Sequence, residues 1–271
     1  MGWIKGSGAF APIKNKMVEL YNYRNFIHAQ VTRNLFGKYR NSFLGFSWNF
    51  LNPIVYIILC YIIFAEIRGI QIEGYLIFLS SGVFIYNLLL GAVTGGGGLF
   101  VGNGGMIKKM YFPREILAIS NAISSLIIAV IGYVIVIITA LLTNHSLDPV
   151  VLLCIIPYLF LAFIFFIGCS LLLGSVAVYV RDLQFILPTV GIILFVCSPL
   201  RSMASDADGL LAWLYELNPF TYFLEPIHLI VYYSEYPSLA MLLVAVIISV
   251  TFFIVGYIVF LKLRHGFVER L

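Results

Sequence analysis

Between Val150 and Val180 the chain runs without one charged side chain, and five other segments are nearly as apolar. A helix crosses the hydrocarbon core with about 20 apolar residues, so each segment is a candidate span. They lie at about 48–66, 75–98, 116–142, 150–180, 183–200 and 239–261. The fourth is long enough to tilt or to project past the membrane. The fifth is short and carries Pro188, which predicts a kink whose freed carbonyl is satisfied inside the bundle. With 62% hydrophobic and 10% charged residues, a soluble fold of this length could not bury its own apolar surface. The expected fold class is therefore an all-α integral membrane bundle of six transmembrane helices.

Charge sets its polarity. The first fifty residues hold Lys5, Lys14, Lys16, Arg24, Arg33, Lys38 and Arg40 and no early apolar core, which places the N-terminus in the cytoplasm. With six spans, Lys108, Lys109, Arg114, Arg181, Lys262, Arg264 and Arg270 join them, leaving only Arg68 and Arg201 of the 16 basic residues outside. The reverse orientation would invert that count against the positive-inside rule. Both termini are thus expected on the cytoplasmic side of a multi-pass protein of the cytoplasmic membrane.

Two connecting segments are more than loops. Residues 15–36 predict an amphipathic helix lying at the interface, with Met17, Leu20, Tyr21, Ile27, Val31 and Leu35 on its apolar side. Glu19, Asn22, Gln30 and Arg33 fall opposite or at its margins. Residues 202–238 hold apolar runs broken at Asn218-Pro219 and Glu225-Pro226, which predicts short re-entrant or capping helices between spans 5 and 6. The expected organisation is a leader over 1–40 and a transmembrane domain over 41–271.

The chain lacks the residues of an engine. No phosphate-binding G-x-x-x-x-G-K-[ST], H-E-x-x-H or G-x-S-x-G occurs, and Gly95 to Gly98 closes an apolar span rather than opening a helix. Ion-coupled carriers place titratable groups at mid-membrane, whereas Glu66, Arg181 and Asp182 lie near span ends. Cys60, Cys154, Cys169 and Cys197 sit in apolar runs without metal-ligand spacing, so no metal site is expected. Energy for any transport must come from a partner.

That partner has an evident place to dock. After the second apolar segment, Gly102, Gly104 and Gly105 lead into Ile107, Lys108, Lys109, Met110, Tyr111, Phe112, Pro113, Arg114 and Glu115, where basic side chains and two exposed aromatics, Tyr111 and Phe112, are expected together. Aromatic and Arg residues anchor protein interfaces, although such a loop could also simply touch anionic lipid. A second cluster precedes the first span, with Arg33, Lys38, Arg40 and Ser42 leading into Leu44-Gly45 and then Trp48 and Pro53. Arg matches phosphate oxygens in a fork, and the same residues would also anchor to headgroups.

In order along the chain, Lys38-Tyr39-Arg40-Asn41-Ser42-Phe43-Leu44-Gly45, Ile107-Lys108-Lys109, Phe112-Pro113-Arg114-Glu115, Arg181-Asp182, Asn218-Pro219 and Phe267-Val268-Glu269 resemble the ABC-2 permeases of O-antigen, teichoic-acid and capsule exporters. Ser198-Pro199-Leu200-Arg201 departs from the Pro-Ile-aromatic pattern expected there. The resemblance implies a permease homodimer paired with two ATP-binding subunits. It would export a polysaccharide assembled on a polyprenyl-pyrophosphate lipid. No cofactor would be bound by this chain, ATP and Mg being held by the ATPase, and no nucleic acid is implied. Ile107 to Glu115 would then couple to the ATPase, and Arg33, Lys38, Arg40, Ser42, Leu44 and Gly45 would meet the lipid pyrophosphate. Flat aromatic faces suit sugars, and Tyr56, Tyr61 and Tyr86 are the channel-lining candidates. Competing readings are an ABC-2 permease for a drug or simple lipid, and a membrane enzyme using Asp206, Asp208 and Glu216.

Overall fold

Backbone groups removed from water must pair within their own segment, and every regular element described is helical. The computed structural model describes residues 11–37, 42–63, 74–200, 202–203 and 208–271. In chain order these form α1 (Ala11–Asn22), α2 (Arg24–Phe36), α3 (Trp48–Tyr61), α4 (Tyr75–Gly97), α5 (Gly104–Lys109), α6 (Glu115–Leu142), α7 (Pro149–Leu152), α8 (Ile155–Tyr179), α9 (Leu183–Val196), α10 (Leu210–Leu217), α11 (Thr221–His228), α12 (Leu239–Leu263) and α13 (Phe267–Arg270). Among the described residues, helices overlap all six apolar segments, and four units are long and apolar enough to cross a membrane: α4, α6, α7 with α8, and α12 running on into α13.

The centre of the bundle is α4, which touches α3, α6, α8, α9 and α11 and is apolar on nearly every side. Its partner α8 lies in turn along α12. That crossing depends on two glycines. A Cβ on Gly256 would stand 2.0 Å from the Gly168 carbonyl oxygen, and one on Gly168 would stand 2.4 Å from the Phe253 backbone. Small residues allow such backbone approach between membrane helices. Because the obstructing atoms are main chain, Gly256→Val is expected to cost about 3 kcal/mol or more. Thermal unfolding of the detergent-solubilised protein tests this, with Ile258→Ala on the exposed side of α12 shifting the midpoint little.

The two ends of the bundle differ. At one end lie α1, the loop around α5 and the C-terminal α13, over a separate core of Phe100, Ile107, Phe112, Phe260 and Phe267. At the other, His145 Nε2 donates to the Tyr232 carbonyl at 2.8 Å and Ser234 donates to the Ser146 carbonyl at 2.8 Å.

The structure redraws several expected boundaries. The leader helix breaks at Tyr23 into α1 and α2, and α2 packs along α6. Gln30, expected at the polar margin, is buried there, while Tyr21, expected on the apolar side, is exposed. The fourth segment turns at Leu153–Cys154 between α7 and α8. The fifth helix ends at Val196, after which Ser198 and Leu200 fold into the interior. The described part of the first, α3, has 14 residues.

Asn218 explains the early end of α9. Its Nδ2 donates to the carbonyls of Leu194 and Cys197 and to Ser198 Oγ, at 3.3, 2.7 and 2.9 Å, and its Oδ1 accepts from the Phe220 N–H at 3.0 Å. One buried carboxamide thus satisfies the groups left over where α9 stops and α11 starts. Beyond it, α11 inserts among α4, α8 and α12 with Phe223, Leu224, Ile227 and His228 buried. The His228 ring stacks on Phe78 at 4.0 Å, with Nδ1 3.0 Å from Ser81 Oγ and Nε2 3.1 Å from the Pro199 carbonyl. A carbonyl only accepts, so Nε2 carries the proton.

Candidate functional site

The chemistry-bearing residues gather at the end that holds α1 and the C-terminal α13. There Ile107, Lys108, Lys109, Met110, Tyr111, Phe112, Pro113, Arg114 and Glu115 all line one open groove of about 460 Å³, walled also by Lys16, Glu19, Arg264 and His265. Ile107 to Lys109 finish α5. Met110 is extended at φ −131°, ψ 137°, and Glu115 begins α6.

These nine residues divide into two sets. Lys108, Lys109, Met110 and Tyr111 face solvent, Tyr111 at 95% exposure. Ile107, Phe112, Pro113 and Glu115 are buried. Phe112, expected beside Tyr111 as a second exposed aromatic, is only 6% exposed because its ring meets Phe26 of α2 at 4.9 Å. Arg114 also turns inward: its Nη1 donates to the Arg264 carbonyl, and its guanidinium lies 5.4 Å from the Phe267 ring centre.

Beneath the exposed strip, charges fasten three distant segments. The Glu115 carboxylate, buried at the first turn of α6, pairs with Lys16 Nζ of α1 at 3.0 Å and sits 3.9 Å from the Arg264 guanidinium. Lys16 also binds Glu19 at 2.9 Å. A carboxylate at a helix N-terminus further complements the helix dipole. Burial pulls the Lys16 pKa down, but Glu19 and Glu115 outweigh it and leave a net rise above 10.5. A raised lysine pKa means the contact contributes fully below 10.5 and is lost only as pH climbs through the higher folded value, so neutral pH leaves it intact. For Arg114, burial and the nearby Arg264 charge lower the pKa, with Glu115 opposing. Nothing in the pattern of the sequence marked Lys16, Glu19 or Arg264 for this place. The available signal was Glu115 itself, a lone acid closing a basic stretch.

The C-terminal tail is tied in as well. Arg181 donates to the Arg270 carbonyl at 2.9 Å, Arg270 lies over the Tyr179 ring at 4.6 Å, and Phe267 is buried against Phe100 at 4.9 Å.

The residues expected to meet a pyrophosphate are placed less uniformly. Lys38 and Arg40 lie outside the described residues. Arg33 donates to Asn103 Oδ1 at 2.6 Å, while Ser42 Oγ accepts from the Trp48 indole at 2.9 Å. No hydrogen bond among the described residues joins the two. Leu44 is exposed, and Gly45 follows it in the left-handed region at φ +47°. Of the three tyrosines, Tyr56 and Tyr86 line a cleft of about 340 Å³ between α3, α4 and α9, with Phe195 between them at 5.3 and 5.7 Å. Tyr61 stands apart from them beside Tyr75, at 6.5 Å.

Residues 26–232, most of the chain, match the ABC-2 type transporter family. An O-antigen export system permease protein RfbA of Myxococcus xanthus is 25% identical over 261 residues, covering 93% of this chain and 98% of that protein. One of the same name from Klebsiella pneumoniae is 26% identical over 185 residues, 67% of this chain and 70% of its own length. The chain is a member of the ABC-2 type transporter family.

Proposed function

We propose that this chain is the permease subunit of an ABC exporter of polysaccharide carried on a polyprenyl-pyrophosphate lipid. The observation that carries it is the exposed Lys108–Tyr111 strip, held on a charge-fastened base and lacking any nucleotide site of its own sequence. The relatives bearing an export-permease name support the cargo class. In this reading a separate ATPase docks on that strip, two permease copies work together, and the six helices all span the cytoplasmic membrane. The basic end, with both termini, faces the cytoplasm.

The lipid headgroup would enter beside Leu44-Gly45, where an exposed left-handed turn leads directly into α3. A β-branched residue in that conformation is strained by about 1–2 kcal/mol. Depleting the chain is expected to make lipid-linked glycan accumulate inside the cell, and resupplying Gly45→Val to restore ATPase binding but slow export about tenfold. Undiminished export during depletion would overturn the functional reading. Full rescue by Gly45→Val would overturn the role of the turn.

A further inference from the structure

A second polar cavity, of about 300 Å³, lies between α2, α4 and α6 at the same end of the molecule. Its walls bring together Arg33 and Asn34 of α2, Thr94 of α4, Asn103 and, from α6, Ser120 and Asn121. Ser120 and Asn121 follow the start of α6 by five and six residues, about 8–9 Å along the axis. That is the depth of lipid headgroups if α6 starts at the cytoplasmic face.

Polar groups placed there are costly unless satisfied. Some are: Arg33 reaches Asn103 Oδ1, Asn103 Nδ2 donates to the Leu99 carbonyl at 2.7 Å, and Thr94 donates to the Leu90 carbonyl at 3.0 Å. The Ser120 hydroxyl is not. It is fully buried, and among the described residues it has no hydrogen-bond partner.

The mixture of groups defines the ligand. Each carboxamide offers donors and an acceptor, and Ser120 offers both. A bare phosphate only accepts, and among the described residues the one cation lining the cavity is already turned to Asn103. Hydroxyls that donate and accept on adjacent carbons fit this set better. A volume at the lower limit of small-ligand sites suits one ring rather than a chain.

We propose that this cavity holds a single sugar ring on the head of a membrane lipid, with Asn34, Ser120 and Asn121 reading its hydroxyls. The inference rests on the export reading above, since the substrate of that reading carries such a sugar beside its pyrophosphate. It makes the cavity a specificity site separate from the Leu44-Gly45 turn.

The test uses the permease–ATPase complex in lipid nanodiscs and two probes: polyprenyl pyrophosphate bearing one hexose, and the same carrier without sugar. Two or three added hydrogen bonds should make the glycosylated carrier bind about 30-fold or more tightly. Ser120→Ala should erode that preference and Asn121→Leu remove it, while the sugar-free carrier binds all three proteins alike. If Asn121→Leu proves unstable, Ser120→Ala and Asn34→Ala together decide. Equal binding of both carriers, or a preference that survives the substitutions, overturns the sugar site alone. Failure of both carriers to bind the intact complex overturns the export reading with it.

Discussion

Lys108→Glu with Lys109→Glu and Tyr111→Ala is expected to leave the permease folded and monodisperse but unable to retain its ATPase on affinity purification. All three side chains are exposed, and their loss removes no hydrogen bond or ion pair among the described residues. Truncating an aromatic anchor at an interface costs about 2 kcal/mol, roughly a 30-fold loss of affinity. Reversing two adjacent charges adds like-charge repulsion worth several kcal/mol wherever the partner is acidic. Together the changes should weaken binding by about a thousandfold or more. Co-purification from cells expressing both subunits reads this directly, and an ATPase that remains bound would rule the strip out as the docking surface. Arg114 does not belong in that experiment, because its reversal would attack the tie to Arg264 and Phe267 rather than the surface.

The second large effect concerns the base under the strip. Glu115→Gln removes the carboxylate that Lys16 and Arg264 share, leaving Lys16 with Glu19 alone beside the Arg264 charge. Breaking a buried ion pair is strongly destabilising, but these partners keep 28% and 38% of their side-chain surface and can rehydrate. A loss of about 1–3 kcal/mol follows. Because Lys16→Met removes the same contact from the other side, the double variant should lose less than the sum of the two singles. With docking residues untouched, the ATPase should still bind, and glycan exported per ATP hydrolysed should fall. Strictly additive stability losses together with an unchanged transport ratio would show that Glu115 does not brace the loop.

What could be read in advance follows from which forces act locally. Apolar segments longer than a helix of the membrane's thickness announce themselves, because no other environment accepts them. Their internal breaks do not. Residues 197–200, Cys-Ser-Pro-Leu, fall inside the expected fifth span, yet the chain leaves the helix there: Pro199 gives a local hint, and a distant carboxamide, Asn218, captures the carbonyls. Likewise the basic aromatic loop was evident from composition, whereas the inward turn of Phe112 depends on Phe26 across the fold. Tyr56 and Tyr86 converge and Tyr61 does not, since the three share a residue type but sit on different sides of their helices. The amide-lined cavity is not legible in the sequence because Arg33-Asn34, Thr94, Asn103 and Ser120-Asn121 lie far apart along the chain and meet only in the fold.

The division of the loop into an exposed strip and a buried footing has a consequence for how such subunits diversify. Residues 108–111 could be exchanged between related permeases as a small cassette without renegotiating the interior, since the residues that secure the loop lie to either side of them. The choice of motor and the integrity of the bundle would then be free to change independently.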